Sequence, residues 1–381
     1  MRILVAIDSF KGAVSSRRAG NAFKKGLSLT NWNDVEVCSV ADGGEGSLEA
    51  LMENLDGNIQ LYEVEDAFHK KIKIRTFFFQ KGNDLYCAIE TADIFGLHNQ
   101  IPESNTVYRT STYGLGQLLK ALEKENIRKV MIFVGGTITT DAGLGLLQGL
   151  GVTLYDAHHT EILKGINPLF SFSSWNKEEL NNIQTQFQSM EIVVGCDVKA
   201  PLYGESGCAR CYAKQKGADE NQIALLEKQL QYFARYSGMD FMKQGFGAGG
   251  GCPASLKLLG AQLFEGFDLL SDFCHLEEKI QTADLIVTGE GQINAQTLQG
   301  KLPIQIAQLS KKYQKPVIAI CGQKIADCDS LRDIFDGIFS IQTGIVDLKQ
   351  AMMNTEINIE ELAYQLGKLL HAVKKGLEYA N

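Results

Sequence analysis

Short, uninterrupted apolar runs recur along this chain, each ending in glycine or an acidic residue and leading into a helix-like segment. The clearest of them are Ile3–Ile7, Val130–Val134, Glu191–Val194, Leu285–Val287 and Val317–Ile320. Runs of this kind are typical of strands that are buried on both faces, as in a parallel sheet covered by helices. Strands that alternate with helices therefore predict an α/β fold.

One segment in the first quarter of the chain has a different pattern. Between Glu63 and Ile89, apolar and charged residues alternate, most clearly in Lys71–Arg75. A period of two is typical of strands with one exposed face, which antiparallel sheets allow. We therefore expect a second kind of sheet here, and a chain of 381 residues is long enough for two domains.

Composition and charge exclude several classes of protein. Hydrophobic residues make up 45% and charged residues 22% of the chain, which is ordinary for a globular protein. The net charge of −8 argues against a nucleic-acid or anionic-membrane partner. No apolar run is long enough to span a membrane, and Asp8 interrupts the first run too early for a secretory signal. Together with nine scattered cysteines, which favour reduced thiols, this predicts a soluble cytoplasmic protein.

Polar residues that can bind anions follow the first predicted strand directly. They are Asp8, Ser9 and Lys11, which supply a carboxylate, a hydroxyl and an ammonium group. In parallel sheets, ligands bind beyond the carboxyl ends of the strands. This turn therefore suits a substrate carboxylate or a phosphate, although a capped turn with a solvated lysine is the alternative.

A second polar segment follows the strand-like run at 35–40. It contains two acids around paired glycines, namely Asp42, Gly43, Gly44 and Glu45. A backbone-rich loop with carboxylates suits Mg2+ or the hydroxyl groups of a substrate. A glycine turn with solvated acids is the alternative.

Three later strands lead into similar segments. After Val130–Val134, glycines and hydroxyls make a phosphate-binding nest, in which we include Gly135, Gly136, Thr137 and Asp141. Asp197 stands at the end of the next strand, where a catalytic base or a metal ligand is expected. Glu290 follows Leu285–Val287, and Lys301 comes shortly afterwards. Simple helix or turn caps remain the alternative for these acids.

Taken in order, these motifs resemble the bacterial glycerate kinase family, and the resemblance covers essentially the whole chain. Further matching segments are Thr110-Ser111, Tyr113-Gly114 and Gln215-Lys216-Gly217-Ala218. The resemblance implies an ATP- and Mg2+-dependent kinase that phosphorylates glycerate, with 2-phosphoglycerate the favoured product. It implies glycerate and ATP as small-molecule partners, no nucleic-acid or membrane partner, and a monomer or homodimer.

The resemblance also implies a domain organisation. A Rossmann- or flavodoxin-like three-layer domain is built from both chain ends, residues 1–67 and 281–381. A second α/β domain with a mixed sheet is inserted at residues 68–280. We expect the strands at Ile3–Ile7 and Leu285–Val287 to share one sheet, because both have the same buried character.

The implied site assigns roles to individual residues. Asp197 is the expected base for the substrate hydroxyl, with Lys11 and Asp8 as further catalytic residues. Asp197 and Glu290 are the expected metal ligands. The expected substrate- and phosphate-binding residues are Ser9, Asp42, Gly43, Gly44, Glu45, Gly135, Gly136, Thr137, Asp141, Lys216, Glu290 and Lys301.

Two alternatives stay open because the chain departs from the family motifs. The family has arginine and aspartate where this chain has Gln292 and Asn294, and Phe95 replaces a serine. A kinase of the same fold that acts on another small hydroxy acid is one alternative, and a catalytically weak metabolite-binding paralogue is the other. A dehydrogenase is disfavoured, since no dinucleotide fingerprint follows the first strand.

Overall fold

The computed structural model describes residues 1–97, 101–294, 301–324, 331 and 333–380. The strands are β1 (Ile3–Ile7), β2 (Val35–Val37), β3 (Gly57–Glu65), β4 (Lys71–Lys81), β5 (Asp84–Glu90), β6 (Lys129–Val134), β7 (Leu154–Tyr155), β8 (Ser174–Trp175), β9 (Glu191–Cys196), β10 (Gln262–Glu265), β11 (Leu285–Ile293), β12 (Val317–Lys324) and β13 (Gly337–Ser340).

The helices are α1 (Ser16–Ser28), α2 (Ser47–Asn54), α3 (Ala92–Phe95), α4 (Thr106–Arg109), α5 (Tyr113–Lys124), α6 (Leu144–Leu150), α7 (Lys177–Phe187), α8 (Cys208–Tyr212), α9 (Glu220–Ser237), α10 (Pro253–Leu258), α11 (Gly266–Phe273), α12 (Leu276–Thr282), α13 (Leu302–Lys312), α14 (Leu348–Met353) and α15 (Thr355–Ala380). Short 3-10 helices lie at Pro168–Phe170, Lys214–Lys216 and Ala248–Gly251. None of the described helices is long and apolar enough to cross a membrane.

The chain divides into two compact units. Unit 1 comprises Met1–Asp42, Glu49–Leu55 and Phe267–Asn381. Unit 2 comprises Gly43–Leu48 and Asp56–Gly266.

Unit 1 is built on a five-stranded sheet in the order β13-β12-β11-β1-β2, and all of its pairs are parallel. Ile3 is paired with Leu285 and Val5 with Val287. The prediction that these two strands share one sheet is therefore confirmed. All residues of β1 are buried, as expected for a strand that lies between two neighbours and is covered on both faces.

Two helices from opposite ends of the chain pack together in unit 1. Apolar side chains of α1, including Phe23 and Leu27, share a buried cluster with Ile359 and Ala363 of α15. Ser15 caps α1, because its hydroxyl accepts a hydrogen bond from the Arg18 amide at 3.4 Å. The first and last parts of the sequence therefore form one core.

Unit 2 contains a six-stranded mixed sheet in the order β10-β9-β6-β5-β4-β3. β3, β4 and β5 are antiparallel, as the alternating pattern predicted. β5, β6, β9 and β10 are paired in parallel. A small antiparallel pair, β7 and β8, lies apart from this sheet. The fold is thus a mixed α/β fold with one parallel and one mixed sheet.

The bounds of the two units differ from 67/68 and 280/281, the domain boundaries that stay a prediction. β3 is paired with β4 over its whole length, from Gly57 with Phe79 to Glu65 with Lys71. Residues 57–65 therefore belong to unit 2, because their backbone hydrogen bonds are made there. The chain returns to unit 1 at Phe267, before the predicted position. The antiparallel pattern begins earlier in the sequence than the charged alternation at Lys71–Arg75 suggests.

Candidate active site

Acidic residues meet in unit 1 where β1 ends beside β11. Ile7 is paired with Gly289, and the amide of Asp8 donates to the Gly289 carbonyl at 2.9 Å. Glu290 follows in β11, so these two acids come from neighbouring strands of one sheet. With Asp42, which acts electrostatically on Asp8, they form what we call the acidic cluster.

The pKa of Asp8 shows how close the charges of the acidic cluster are. Burial raises this pKa most, and the negative charge of Asp42 raises it further. A hydrogen bond from the Ser9 amide at 2.6 Å and the positive charge of Lys11 lower it, while Glu290 raises it slightly. The result is a pKa of about 7, which makes Asp8 able to change its charge near neutral pH.

Cations stand beside the acidic cluster. The Lys301 ammonium lies 2.9 Å from a carboxylate oxygen of Glu290. Lys11 is exposed, directly after Ser9 and Phe10. The structure therefore brings together the predicted residues of unit 1, with carboxylates and ammonium groups in one place.

In unit 2, a short stretch of backbone carries the glycines and the acid of the second motif. We call it the Gly43–Leu48 segment. The Ser47 hydroxyl closes it from within by donating to the Gly44 carbonyl at 2.7 Å. Gly43 has φ +100°, and a Cβ there would lie 2.2 Å from the Gly266 Cα, so only glycine fits this position.

The nest after β6 packs directly on the Gly43–Leu48 segment. A Cβ on Gly135 would lie 2.7 Å from the Gly44 Cα, so the two backbones touch. The Cβ position of Gly136 is 3.4 Å from a carboxylate oxygen of Glu45, whose side chain is exposed. Two motifs that are about ninety residues apart in the sequence are therefore in contact.

Glu90 holds the same segment and was missed by the sequence analysis. It is the last residue of β5 and only 5% exposed. Its carboxylate accepts hydrogen bonds from the amides of Gly46, at 2.9 Å, and Leu48, at 3.1 Å. A signal was present, because Ala88–Glu90 is another buried strand that ends in an acid.

Asp197 directly follows β9 and is exposed to solvent. Cys196 is paired with Val134, and Glu90 with Phe133. Glu90 therefore ends one of three adjacent strands at one edge of the sheet, and Gly135 and Asp197 directly follow the other two. This is the carboxyl edge, where ligands bind in parallel sheets.

Lys216 and Asp141 are buried rather than exposed. Lys216 is 3% exposed, and its ammonium donates to the Thr139 carbonyl at 2.6 Å and lies 3.4 Å from the Thr137 hydroxyl. Burial lowers the pKa of Lys216 to about 8. Fully buried Asp141 accepts hydrogen bonds from the Thr112 amide and hydroxyl and from the amides of Gly143 and Gly145. Both side chains therefore contact the protein's own loop at 137–145.

The positions that depart from the family motifs differ in their surroundings. Phe95 is 1% exposed and belongs to the core of unit 2. Gln292 lies near the end of β11, opposite Gln323 of β12, with an exposed side chain. Within the described residues, no group of three or more histidines, cysteines, aspartates or glutamates is arranged to hold a metal ion.

Known proteins resemble this chain over nearly its whole length. The model of the glycerate kinase family matches residues 3–371 of the chain. The chain belongs to the glycerate kinase family. Glycerate kinase from Haemophilus influenzae is 32% identical over 378 residues, covering 97% of this chain and 99% of the relative. Glycerate 2-kinase from Escherichia coli K12 is 32% identical over 368 residues, covering 94% of this chain and 95% of the relative.

One solved structure is similar to this chain over almost the full length of both. It is the crystal structure of a protein from Salmonella typhimurium LT2 that is described as a proposed glycerate kinase 2. The TM-score is 0.81 at 31% sequence identity, and the match covers 98% of this chain and 99% of that chain. Membership of the glycerate kinase family and the mixed α/β fold therefore rest on the whole length of the chain.

Proposed function

We propose that this protein transfers the γ-phosphoryl group of ATP to a hydroxyl group of glycerate, with 2-phosphoglycerate as the favoured product. The full-length match to the glycerate kinase family carries this proposal. The chemistry of the candidate residues supports it, since phosphoryl transfer depends mainly on positioning and on charge stabilisation. Both units supply acids, lysines or backbone amides at the carboxyl ends of parallel strands.

We also propose that unit 1 is a flavodoxin-like domain. Numbered along the chain within this unit, its parallel strands stand in the order 2-1-3-4-5, which is the flavodoxin order. Ligands in such sheets bind where the strand order reverses, between the first and third strands. In this chain those strands are β1 and β11. Asp8 directly follows β1, and Glu290 lies in β11 directly after Gly289, which is paired with Ile7.

In unit 2, Asp197 is the proposed base that accepts the proton of the substrate hydroxyl. An exposed carboxylate at the end of β9 is accessible to a small substrate. The backbone of Gly135, Gly136 and Thr137 is proposed to bind phosphate. Lys216 supports this loop by its bond to the Thr139 carbonyl. Asp141 fixes the following turn through the amides of Gly143 and Gly145.

In unit 1, Ser9 and Lys11 are proposed to bind an anionic group of a substrate, and Asp8 titrates beside them. Lys301 offsets the charge of Glu290.

The residues present fit a requirement for Mg2+. Magnesium is usually bound by one or two carboxylates together with phosphate oxygens and water, so a complete protein cage is not needed. Asp42 and Glu290 each raise the pKa of Asp8, which shows an excess of negative charge that a divalent cation relieves. Glu290 is the proposed magnesium ligand in unit 1, and Asp197 is the proposed magnesium ligand in unit 2. When bound, the ion supplies positive charge to the phosphate oxygens.

A coupled assay for ADP formation tests this function. Purified protein is given ATP and Mg2+ with D-glycerate, L-glycerate or other small hydroxy acids, and the phosphorylated carbon is identified by ³¹P NMR. We expect turnover with glycerate, formation of 2-phosphoglycerate, and loss of turnover when EDTA removes Mg2+. If a different hydroxy acid is turned over faster than glycerate, that acid is the substrate instead. Binding without turnover of any acid would contradict the kinase proposal.

A further inference from the structure

The carboxylate of Glu90 is the side-chain group that reaches the Gly43–Leu48 segment from the end of β5. One of its oxygens accepts the Gly46 amide and the other accepts the Leu48 amide. Both amides stand at the beginning of α2, where backbone N–H groups have no partner within the helix. Glu90 therefore acts as a cap that comes from a distant part of the sequence.

An ionised acid is a costly way to satisfy these two amides. Burial raises the pKa of Glu90 to about 7, although the bonds from Leu48 and Gly46 lower it. The carboxylates of Asp93, in α3, and Glu45 raise it further, and Arg75 lies 3.5 Å from Asp93. A neutral side chain at this position would avoid the cost of burying a charge. A buried acid with a shifted pKa is a feature of functional sites.

The segment that Glu90 holds carries a residue of the proposed site. Glu45 lies between Gly44, which touches Gly135, and Gly46, which is bonded to Glu90. Its carboxylate is next to Gly136, in the nest proposed to bind phosphate. Because Gly46 has φ +94° and open space around its Cβ position, its own packing does not fix this part of the backbone.

We propose that Glu90 is a positioning residue for phosphoryl transfer: it fixes the backbone of the Gly43–Leu48 segment and thereby sets where the Glu45 carboxylate lies. The proposal rests on the proposed function, since it assigns Glu45 to the same site. Glu90 itself does not touch the substrate. Its effect is on geometry, and a misplacement of about 1 Å in an active site can lower a rate by about a hundredfold.

Amide proton shifts of Gly46 and Leu48 test the hydrogen bonds directly. In the native protein, both shifts are expected to titrate with a midpoint near the Glu90 pKa of about 7, because the ionised carboxylate accepts both bonds. Glu90→Gln keeps one acceptor and has no charge to titrate. In that variant the titration should vanish and one of the two amide protons should move upfield. Gly46 and Leu48 amide shifts that are the same in the native protein and in Glu90→Gln would overturn the proposal, because the two hydrogen bonds would then be absent.

Kinetics of the same proteins test the consequence for the reaction. We expect kcat/KM for D-glycerate to fall by about tenfold or more in Glu90→Gln. The loss should be larger in Glu90→Met, which has a similar length and no oxygen acceptor. Thermal unfolding of each variant is measured alongside, since a purely structural role would lower Tm while folded protein kept its native kcat/KM. Native kcat/KM together with displaced amide shifts would overturn the positioning role.

A matched control is available in unit 2. Glu227 is 4% exposed, and its carboxylate accepts a bond from the Gly204 amide at 2.7 Å. Glu227, in α9, is about as buried as Glu90, and Glu227→Gln makes the same chemical change there. This variant should leave the Gly46 and Leu48 shifts and kcat/KM unchanged. Equal losses in both variants would overturn the specific role of Glu90. If the native protein lacks glycerate kinase activity, the proposed function fails, while the amide shifts still decide whether Glu90 holds the segment.

Discussion

The ammonium of Lys301 lies 2.9 Å from the carboxylate of Glu290, which is in β11 next to the end of β1. The Glu290 side chain is 9% exposed, whereas that of Lys301 is 40% exposed. A partly exposed ion pair of this kind contributes little to stability, typically below about 1 kcal/mol. Its larger effect is on charge, because Glu290 acts on Asp8 and Lys301 offsets that negative charge locally.

Replacing Lys301 should therefore affect catalysis more than stability. We expect Lys301→Met to lower kcat/KM by about tenfold, as charge-assisted hydrogen bonds are about twice as strong as neutral ones. The free energy of unfolding should change by less than about 1 kcal/mol. Lys312→Met is the control, because Lys312 is the last residue of α13, the helix that Lys301 directly precedes, and is paired with Glu277 at 2.6 Å. Similar losses in both variants would show that general surface charge is responsible.

The raised pKa of Asp8 predicts a dependence of stability on pH. Its ordinary value is 3.8 and the folded value is about 7, so the folded protein binds this proton more tightly than the unfolded chain. The stabilising contribution is complete below 3.8 and is lost as pH rises through 7. Asp8→Asn, which stays neutral, should gain on the order of 1 kcal/mol or more relative to the native protein between pH 4 and pH 8.

Chemical unfolding of metal-free protein at both pH values measures this difference. Asp34→Asn, a change of an exposed acid in unit 1, is the control. Asp8→Asn should also lose activity, so that greater stability at pH 8 accompanies a slower enzyme. A constant stability difference across the pH range would contradict the assigned ionisation of Asp8.

Most of the fold could be predicted from local patterns. Buried runs such as Ile3–Ile7 and Leu285–Val287 identify parallel strands because both faces of such strands are covered. The alternation at Lys71–Arg75 identifies an antiparallel pair because one face is exposed. The unit to which β3 belongs is harder to predict. β3 belongs to unit 2 because it is hydrogen-bonded to β4, and the local sequence does not show this pairing.

The site was predicted less completely, and the reason is again long-range contact. Asp8, Glu45 and Asp197 could be predicted as site residues because each comes soon after an apolar run that predicts a strand. Lys216 and Asp141 are buried because other loops pack around them, and the local sequence could not show this burial or the bonds of both side chains to the loop at 137–145. Glu90 was missed because its two partners are more than forty residues away.

The role of Asp197 can be tested by removing its basicity while its shape is kept. We expect Asp197→Asn to lower kcat by about 10²- to 10⁴-fold, the usual effect of losing a general base, with a smaller change in KM for glycerate. Asp240→Asn is the control, because Asp240 is an exposed aspartate of the same unit. Native turnover in Asp197→Asn over a range of pH would remove Asp197 from this role.

The pair Gln292 and Asn294 gives the last prediction. The family motif has arginine and aspartate at these positions, and this chain has two neutral side chains instead. Gln292 is exposed near the end of β11, so an arginine fits there without disturbing the core. Changing both residues leaves the net charge unchanged but restores groups that can form charge-assisted bonds to phosphate.

We therefore expect the native enzyme to be slow on glycerate and the double change Gln292→Arg with Asn294→Asp to raise kcat. Gln292→Arg alone should help less, since the new guanidinium group would lack a carboxylate partner to orient it. The gain in the double variant should exceed the sum of the single effects, as is expected for residues that interact. The measurement is kcat and KM for D-glycerate in the native protein, both single variants and the double variant. A fast native enzyme, or a double variant no faster than native, would show that these two positions do not limit the reaction.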